Sequence, residues 1–116
     1  MTRHDDLPRL RHMFDHATEA VRIVEGKSRC DLDTDRLLNL SLVRLLEIVG
    51  EATARVSPET RGLFPGVPWP DIVSLRNRLI HGYDTVDFDI LWDIVRDDLP
   101  ALIAELQAVI KDAERR

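Results

Sequence analysis

One cysteine, one tyrosine and five glycines are all that this 116-residue chain holds of those residue types, and each scarcity excludes something. The lone Cys30 closes no intrachain disulfide and builds no cysteine-based zinc site, which fits a reducing cytosol. Aromatic residues make up only 5% of the chain, and its β-branched runs are short, so extended sheet is not expected. No apolar run approaches the ~18 residues that a membrane span needs. The opening Met1-Thr2-Arg3-His4-Asp5-Asp6 has no apolar stretch of the signal-peptide kind, which argues against a leader. Positive charge is not in excess either: 16 Lys+Arg stand against 21 Asp+Glu, a net −5 that a symmetric pair would double. Such a field does not gather nucleic acid or anionic membrane, so any RNA or DNA contact must come from a local basic cluster.

What is present is ordinary globular material, 44% hydrophobic and 32% charged. The length lies near the modal domain size of ~100–150 residues, so one domain over residues 1–116 is expected. Apolar spacing of three and four residues recurs almost throughout, the mark of an all-α chain. A first helix is expected after Asp5-Asp6, whose charges suit a helix N-terminus, with Pro8 in the first turn. Leu7, Leu10, Phe14, Ala17, Val21 and Val24 step by 3, 4, 3, 4, 3, giving a narrow seam that stops at Gly26. A second helix is expected from Asp33-Thr34-Asp35 to about Val56. Its leucines, Leu37, Leu38, Leu40, Leu42, Leu45 and Leu46, cover most of the circumference and predict the most buried helix. One polar stripe crosses it: Arg44, Glu47, Glu51 and Arg55.

Pro58, Gly62, Pro65, Gly66, Pro68 and Pro70 crowd between Ser57 and Asp71, a connector of restricted backbone. A short third helix is expected from Pro70 or Asp71 to Ile80 or His81, stopped by Gly82. A fourth begins near Asp87, and Pro100 interrupts it where Asp97-Asp98 would cap a restart. The elements together predict an antiparallel four-helix bundle, with a short third helix and a Pro-bent last one.

The chemistry concentrates between Ser74 and Tyr83, where Arg76, Asn77, Arg78, His81 and Tyr83 converge. Five residues separate Arg76 from His81, about 140° around a helix, so one helical face would not hold both. A helix ending at His81, with Gly82 beyond, lets the backbone turn the imidazole toward the arginine. Neutral histidine is a competent base near pH 7, and guanidinium grips a phosphate through two donors. The pair suffices for metal-free phosphodiester cleavage: His81 takes a ribose 2′-OH proton while Arg76 stabilises charge on the phosphoryl oxygens. Spacing alone is weak evidence, because Arg11 and His16 repeat it on the first helix. The bland reading of Arg76 and His81 is a basic helix C-terminus answering the helix dipole.

Context narrows these alternatives. Gly50-Glu51-Ala52, Pro68-Trp69, Arg76-Asn77, His81-Gly82-Tyr83, Asp87, Trp92 and Asp98-Leu99-Pro100 come in an order that resembles the HepT-like family of HEPN domains. These are small all-α proteins of bacteria and archaea. Their pattern Arg-x-x-x-x-His-x-Tyr is filled here by Arg76, His81 and Tyr83, with Asn77 as the polar residue after the arginine. The resemblance runs from the second helix to Leu99-Pro100. It implies a HEPN four-helix bundle, a homodimer and a metal-independent endoribonuclease that needs no cofactor. It further implies a cytoplasmic toxin of a two-gene toxin–antitoxin module (type II/VII-like) with RNA as substrate and no membrane. The implied antitoxin is a minimal nucleotidyltransferase that adds AMP to Tyr83. Two other readings stay open: a non-catalytic module that docks such a transferase and presents Tyr83, or a bundle that positions a small substrate for it.

Other residues carry competing readings. Arg78 is either an RNA-backbone contact or a solvent-facing charge. Glu47 and Glu51 either orient Arg76 or pair with Arg44 and Arg55 along the stripe, and the second is the expectation. His12 and His16 have metal-capable spacing but lack a third ligand nearby, so no metal site is expected. Trp69 and Trp92 are expected to staple structure to the core, although tryptophans can also stack on bases.

Overall fold

The computed structural model describes the backbone of residues 3–82 and 85–116 and, within those ranges, side chains from Asp6 onward. Its element order is α1 (Arg3–Ile23), α2 (Asp31–Thr34), α3 (Arg36–Ala54), α4 (Pro58–Leu63), α5 (Trp69–Val73) and α6 (Leu75–Leu79). Then come β1 (Ile80–His81), β2 (Thr85–Val86), α7 (Phe88–Asp93), a π-helical turn (Ile94–Asp98) and α8 (Leu99–Arg115). The fold is all-α, as expected, apart from one antiparallel two-strand ladder pairing Ile80 with Val86 and His81 with Thr85.

Helix α1 packs most extensively on α3 and α8. Its fully covered seam is Leu10, Met13, Ala17 and Ala20, continued just past the helix end by Val24, so Phe14 and Val21 flank the seam instead of forming it. From α3 the core takes Leu38, Leu42, Leu45, Leu46 and Val49, and from α8 Leu99, Leu102, Leu106 and Val109. Burying such side chains contributes roughly 1.5–3 kcal/mol each, which makes this three-helix contact the mechanical base of the molecule. The expectation of a nearly all-buried α3 fails on one side, because Leu37 is 78% and Leu40 49% exposed. Both lie on the open face of the helix, one and two turns before Arg44 and Glu47.

Several boundaries differ from the sequence expectation for physical reasons. Asp6 does not start α1; it lies inside the helix, fully buried, and accepts hydrogen bonds from the Ser57 amide, the Ser57 hydroxyl and the Thr60 hydroxyl. That carboxylate therefore secures the start of α4, a helix inside the proline-rich connector that local pattern did not foretell. Arg61 of α4 then donates to Thr53 O (2.8 Å) and Val56 O (3.2 Å), closing the end of α3. The second helix begins as expected near Asp35, whose side chain caps α3 by accepting from Leu38 N at 3.0 Å.

The expected third helix is broken in two at Ser74, whose hydroxyl donates back to Pro70 O at 3.1 Å and Asp71 O at 3.2 Å. Gly50 lets α5 approach α3: a Cβ there would sit 3.1 Å from Ile72 O. Pro100 does not interrupt the last helix. It lacks the N–H that would meet Arg96 O, and the chain widens to a π turn in which Leu99 N–H donates to Ile94 O. Asp98 makes no capping hydrogen bond there; its carboxylate faces Arg78 at 3.7 Å. Trp69 is a staple as expected, buried and donating from Nε1 to Phe64 O at 3.0 Å.

Candidate active site

Helix α6 is only Leu75–Leu79, and its two ends are nailed down by Leu75 and Leu79, both buried. The residues between them, Arg76, Asn77 and Arg78, are thereby exposed. The two arginines leave the anchored face in different directions. Arg76 reaches α3 and donates from Nε to Glu47 Oε2 at 3.2 Å, with Glu47 only 22% exposed. Arg78 faces Asp98 of the π turn. The stripe on α3 is thus split, since Glu51 takes Arg44 at 3.6 Å while Glu47 holds Arg76. Glu47 pairs outside the stripe because the α5–α6 break swings Arg76 onto α3, a long-range event invisible to local spacing.

His81 lies past the end of the helix, not on it. The helix stops at Leu79 because Ile80 turns extended (φ −105°, ψ 120°) and pairs with Val86. Gly82 follows at φ +84°, a left-handed conformation that a side chain would strain. The freedom that Gly82 was expected to supply is therefore present three residues after the helix end. His81 is 58% exposed, and its Nε2 stands 4.0 Å from Asp87 Oδ2. Arg76 and His81 are consequently presented on consecutive elements, each facing its own carboxylate, and Asn77 is exposed between them in sequence. Tyr83 falls outside the described residues.

The residue to which sequence reading gave no role in the site is Asp87, which served there as a helix start and as one of the residues carrying the family resemblance. The signal was available: Thr85-Val86 is a β-branched pair set across Gly82 from Ile80-His81, a hairpin pattern that folds Asp87 back toward His81.

The surroundings of α6 are electrically unlike on its two sides. Beyond Arg78 lies a groove of about 450 Å³ with Ile72, Leu75 and Leu102 in its lining and Asp71, Asp97, Asp98 and Glu105 among its charged groups. Arg78 lines this groove too and is its one basic residue among the described ones. Beyond Arg76, the open face of α3 carries Arg44 and Arg55, the latter in a groove of about 400 Å³ with Arg9, His12 and Glu51. Near the start of α7, Arg29 bonds Asp89 (2.7 Å) and Asp33 (3.1 Å); these two carboxylates, Asp89 first, raise its pKa above the usual arginine value. His16 Nδ1 contacts His12 O at 2.7 Å, and the two rings meet edge to face. Among the described residues, no helix is long and apolar enough to cross a membrane.

Comparison with known proteins identifies the family of the chain. The family model described as "Ribonuclease HepT-like" matches residues 13–109. A Methanocaldococcus jannaschii protein named "Putative RNase MJ1380" is 31% identical over 109 residues, covering 94% of this chain and 100% of its own. A Thermococcus cleftensis protein named "Probable ribonuclease HepT" is 33% identical over 97 residues, covering 80% of this chain and 88% of its own. No solved structure matches the chain. The matched span runs from the core seam of α1 through the α6–β1 break to the last buried turn of α8, and over that span the chain belongs to the HepT-like ribonuclease family.

Proposed function

We propose that this chain is a metal-independent endoribonuclease whose site is built from Arg76 and His81, and that it acts as the toxin of a two-gene toxin–antitoxin module. The observation that carries the reading is the helix break after Leu79, which exposes a phosphate-binding side chain and a proton acceptor on adjoining elements. His81 accepts the proton of a ribose 2′-OH. The freed 2′-oxygen bonds to the neighbouring phosphorus, the bond from phosphorus to the 5′-oxygen breaks, and that oxygen takes a proton from water. The products are a 2′,3′-cyclic phosphate and a 5′-hydroxyl. Because the nucleophile belongs to the substrate, the reaction needs no metal-bound water. Arg76 answers the charge that builds on the phosphoryl oxygens; Glu47 engages only its Nε, and guanidinium has further donors for phosphate.

The working form in this reading is a homodimer. Leu37 and Leu40 form an open apolar strip that leads along α3 straight to Arg44, Glu47 and Arg76. A second copy docked on that strip brings two Arg76–His81 sets toward one cleft, and Glu47 and Glu51 offset the repulsion between the arginines. Asn77 and Arg78 support the site in this reading, as substrate contacts beside the base and the arginine. Control falls to a nucleotidyltransferase partner in the same cytoplasm. AMP attached to Tyr83, two residues past His81 in sequence, would add a phosphate charge that competes with RNA for Arg76. The test is incubation of the purified chain with RNA in EDTA, with end-group analysis and light scattering on the same sample. Cleavage with 2′,3′-cyclic ends by a particle of twice the chain mass is the expected result. Complete inhibition by EDTA, or a strict monomer that cuts RNA at full rate, overturns the reading.

A further inference from the structure

The Asp87 carboxylate faces two ways. Its Oδ1 accepts from Asp89 N and Ile90 N, both at 3.0 Å, and so caps α7. Its Oδ2 is the oxygen 4.0 Å from His81 Nε2. The backbone of the same residue donates to Leu79 O at 2.8 Å, and the β1–β2 ladder sets His81 against Thr85. The end of α6, the strand bearing His81 and the start of α7 are therefore one frame, closed by Asp87. A cap alone needs one side-chain oxygen; the second is turned to the imidazole.

We propose that Asp87 is a positioning residue for His81. Facing the Nε2 edge at 4.0 Å, its negative charge favours the tautomer protonated at Nε2, which leaves Nδ1 to accept the substrate proton. It also stabilises the positive charge that arises on the ring as that proton arrives. The separation exceeds hydrogen-bond length, so the interaction is chiefly charge with charge and strengthens as imidazolium forms. This rests on the reading of His81 as the general base. An aspartate in a buried triad is worth about 10⁴ in rate. Here His81 is 58% and Asp87 36% exposed, and solvent screening reduces the expected effect to about tenfold to a hundredfold.

Asp87→Asn separates the two uses, because asparagine caps a helix as well as aspartate but carries no charge. The expected variant melts with wild type, retains its KM for RNA and loses about ten- to a hundredfold in kcat. Placed on His81→Ala, it should cause no further loss, since a residue acting through His81 has nothing left to position. Wild-type kcat in Asp87→Asn, or a full additional loss in the double variant, overturns the proposal. If His81→Ala itself cuts RNA at the wild-type rate, the general-base reading fails and takes this one with it; an inert His81→Ala beside a fully active Asp87→Asn sinks only the role of Asp87. Imidazole ¹⁵N shifts give a readout independent of turnover. Wild type should show a larger Nε2–H fraction at His81 than Asp87→Asn does; equal fractions in the two proteins contradict the proposal.

Discussion

The chain contains the spacing Arg-x-x-x-x-His twice, and its two copies have opposite fates. Arg11 and His16 lie inside the unbroken α1. There Arg11 is taken by Glu114 of α8 at 2.7 Å, and His16 Nδ1 by the carbonyl of His12 in the preceding turn. Arg76 and His81 straddle the junction of α6 and β1. The helix ends between them, Leu75 and Leu79 anchor what precedes, and Gly82 turns the chain beyond. A helix locks the two side chains about 140° apart; a break frees the second to leave the helical surface. The lesson is that spacing does not fix what surrounds the two side chains. In the proposed function it is the broken helix, with a carboxylate facing each side chain, that makes the site.

The comparison can be broken most forcefully at the histidines. His81→Ala should lose about 10²–10⁴ in RNA cleavage, the range for removing a general base, whereas His16→Ala should keep the wild-type rate. Next in size is Arg76→Ala, for which a loss of about 10²–10³ is expected, as for one charge-stabilising donor. Single-turnover rates at saturating RNA check both. The role of the break itself is sharpened by Gly82→Ala. Forcing a side chain into the conformation at φ +84° should lower stability by about 1–2 kcal/mol and reduce cleavage, because the turn that presents His81 shifts. Denaturant unfolding beside an activity assay reads both effects. The smallest change is expected from Arg11→Ala, which removes an ion pair whose partners are about half exposed. Solvent-screened pairs of this kind contribute only ~0.2–1 kcal/mol, and activity should not move.

How far the sequence foretold this molecule can be judged element by element. The α3 helix and its start were legible, because Asp35 is a local cap followed by dense leucines. So was the glycine that turns the chain after His81. Asp6 was misread because an acidic residue near the chain start looks like a charge that suits a helix N-terminus, and only the long-range partners Ser57 and Thr60 reveal its buried role. The π turn before Pro100 was hidden for a related reason: a proline breaks a helix unless the preceding turn widens, and local pattern does not show which occurs. Within the site, Arg76 and His81 stood out by residue type. Of their carboxylate neighbours, Glu47 was weighed as a partner of Arg76 but not expected as one, being 29 residues away in sequence, and Asp87 is reached only across the hairpin.

The central claim is that RNA chemistry resides at the broken helix and not at the unbroken one. Cleavage of one RNA by wild type, His81→Ala and His16→Ala, at equal concentration in EDTA, tests it most directly. The account predicts that His16→Ala cuts like wild type while His81→Ala falls by at least about a hundredfold. Equal cleavage by His81→Ala and wild type, or loss in His16→Ala with His81→Ala intact, would contradict it.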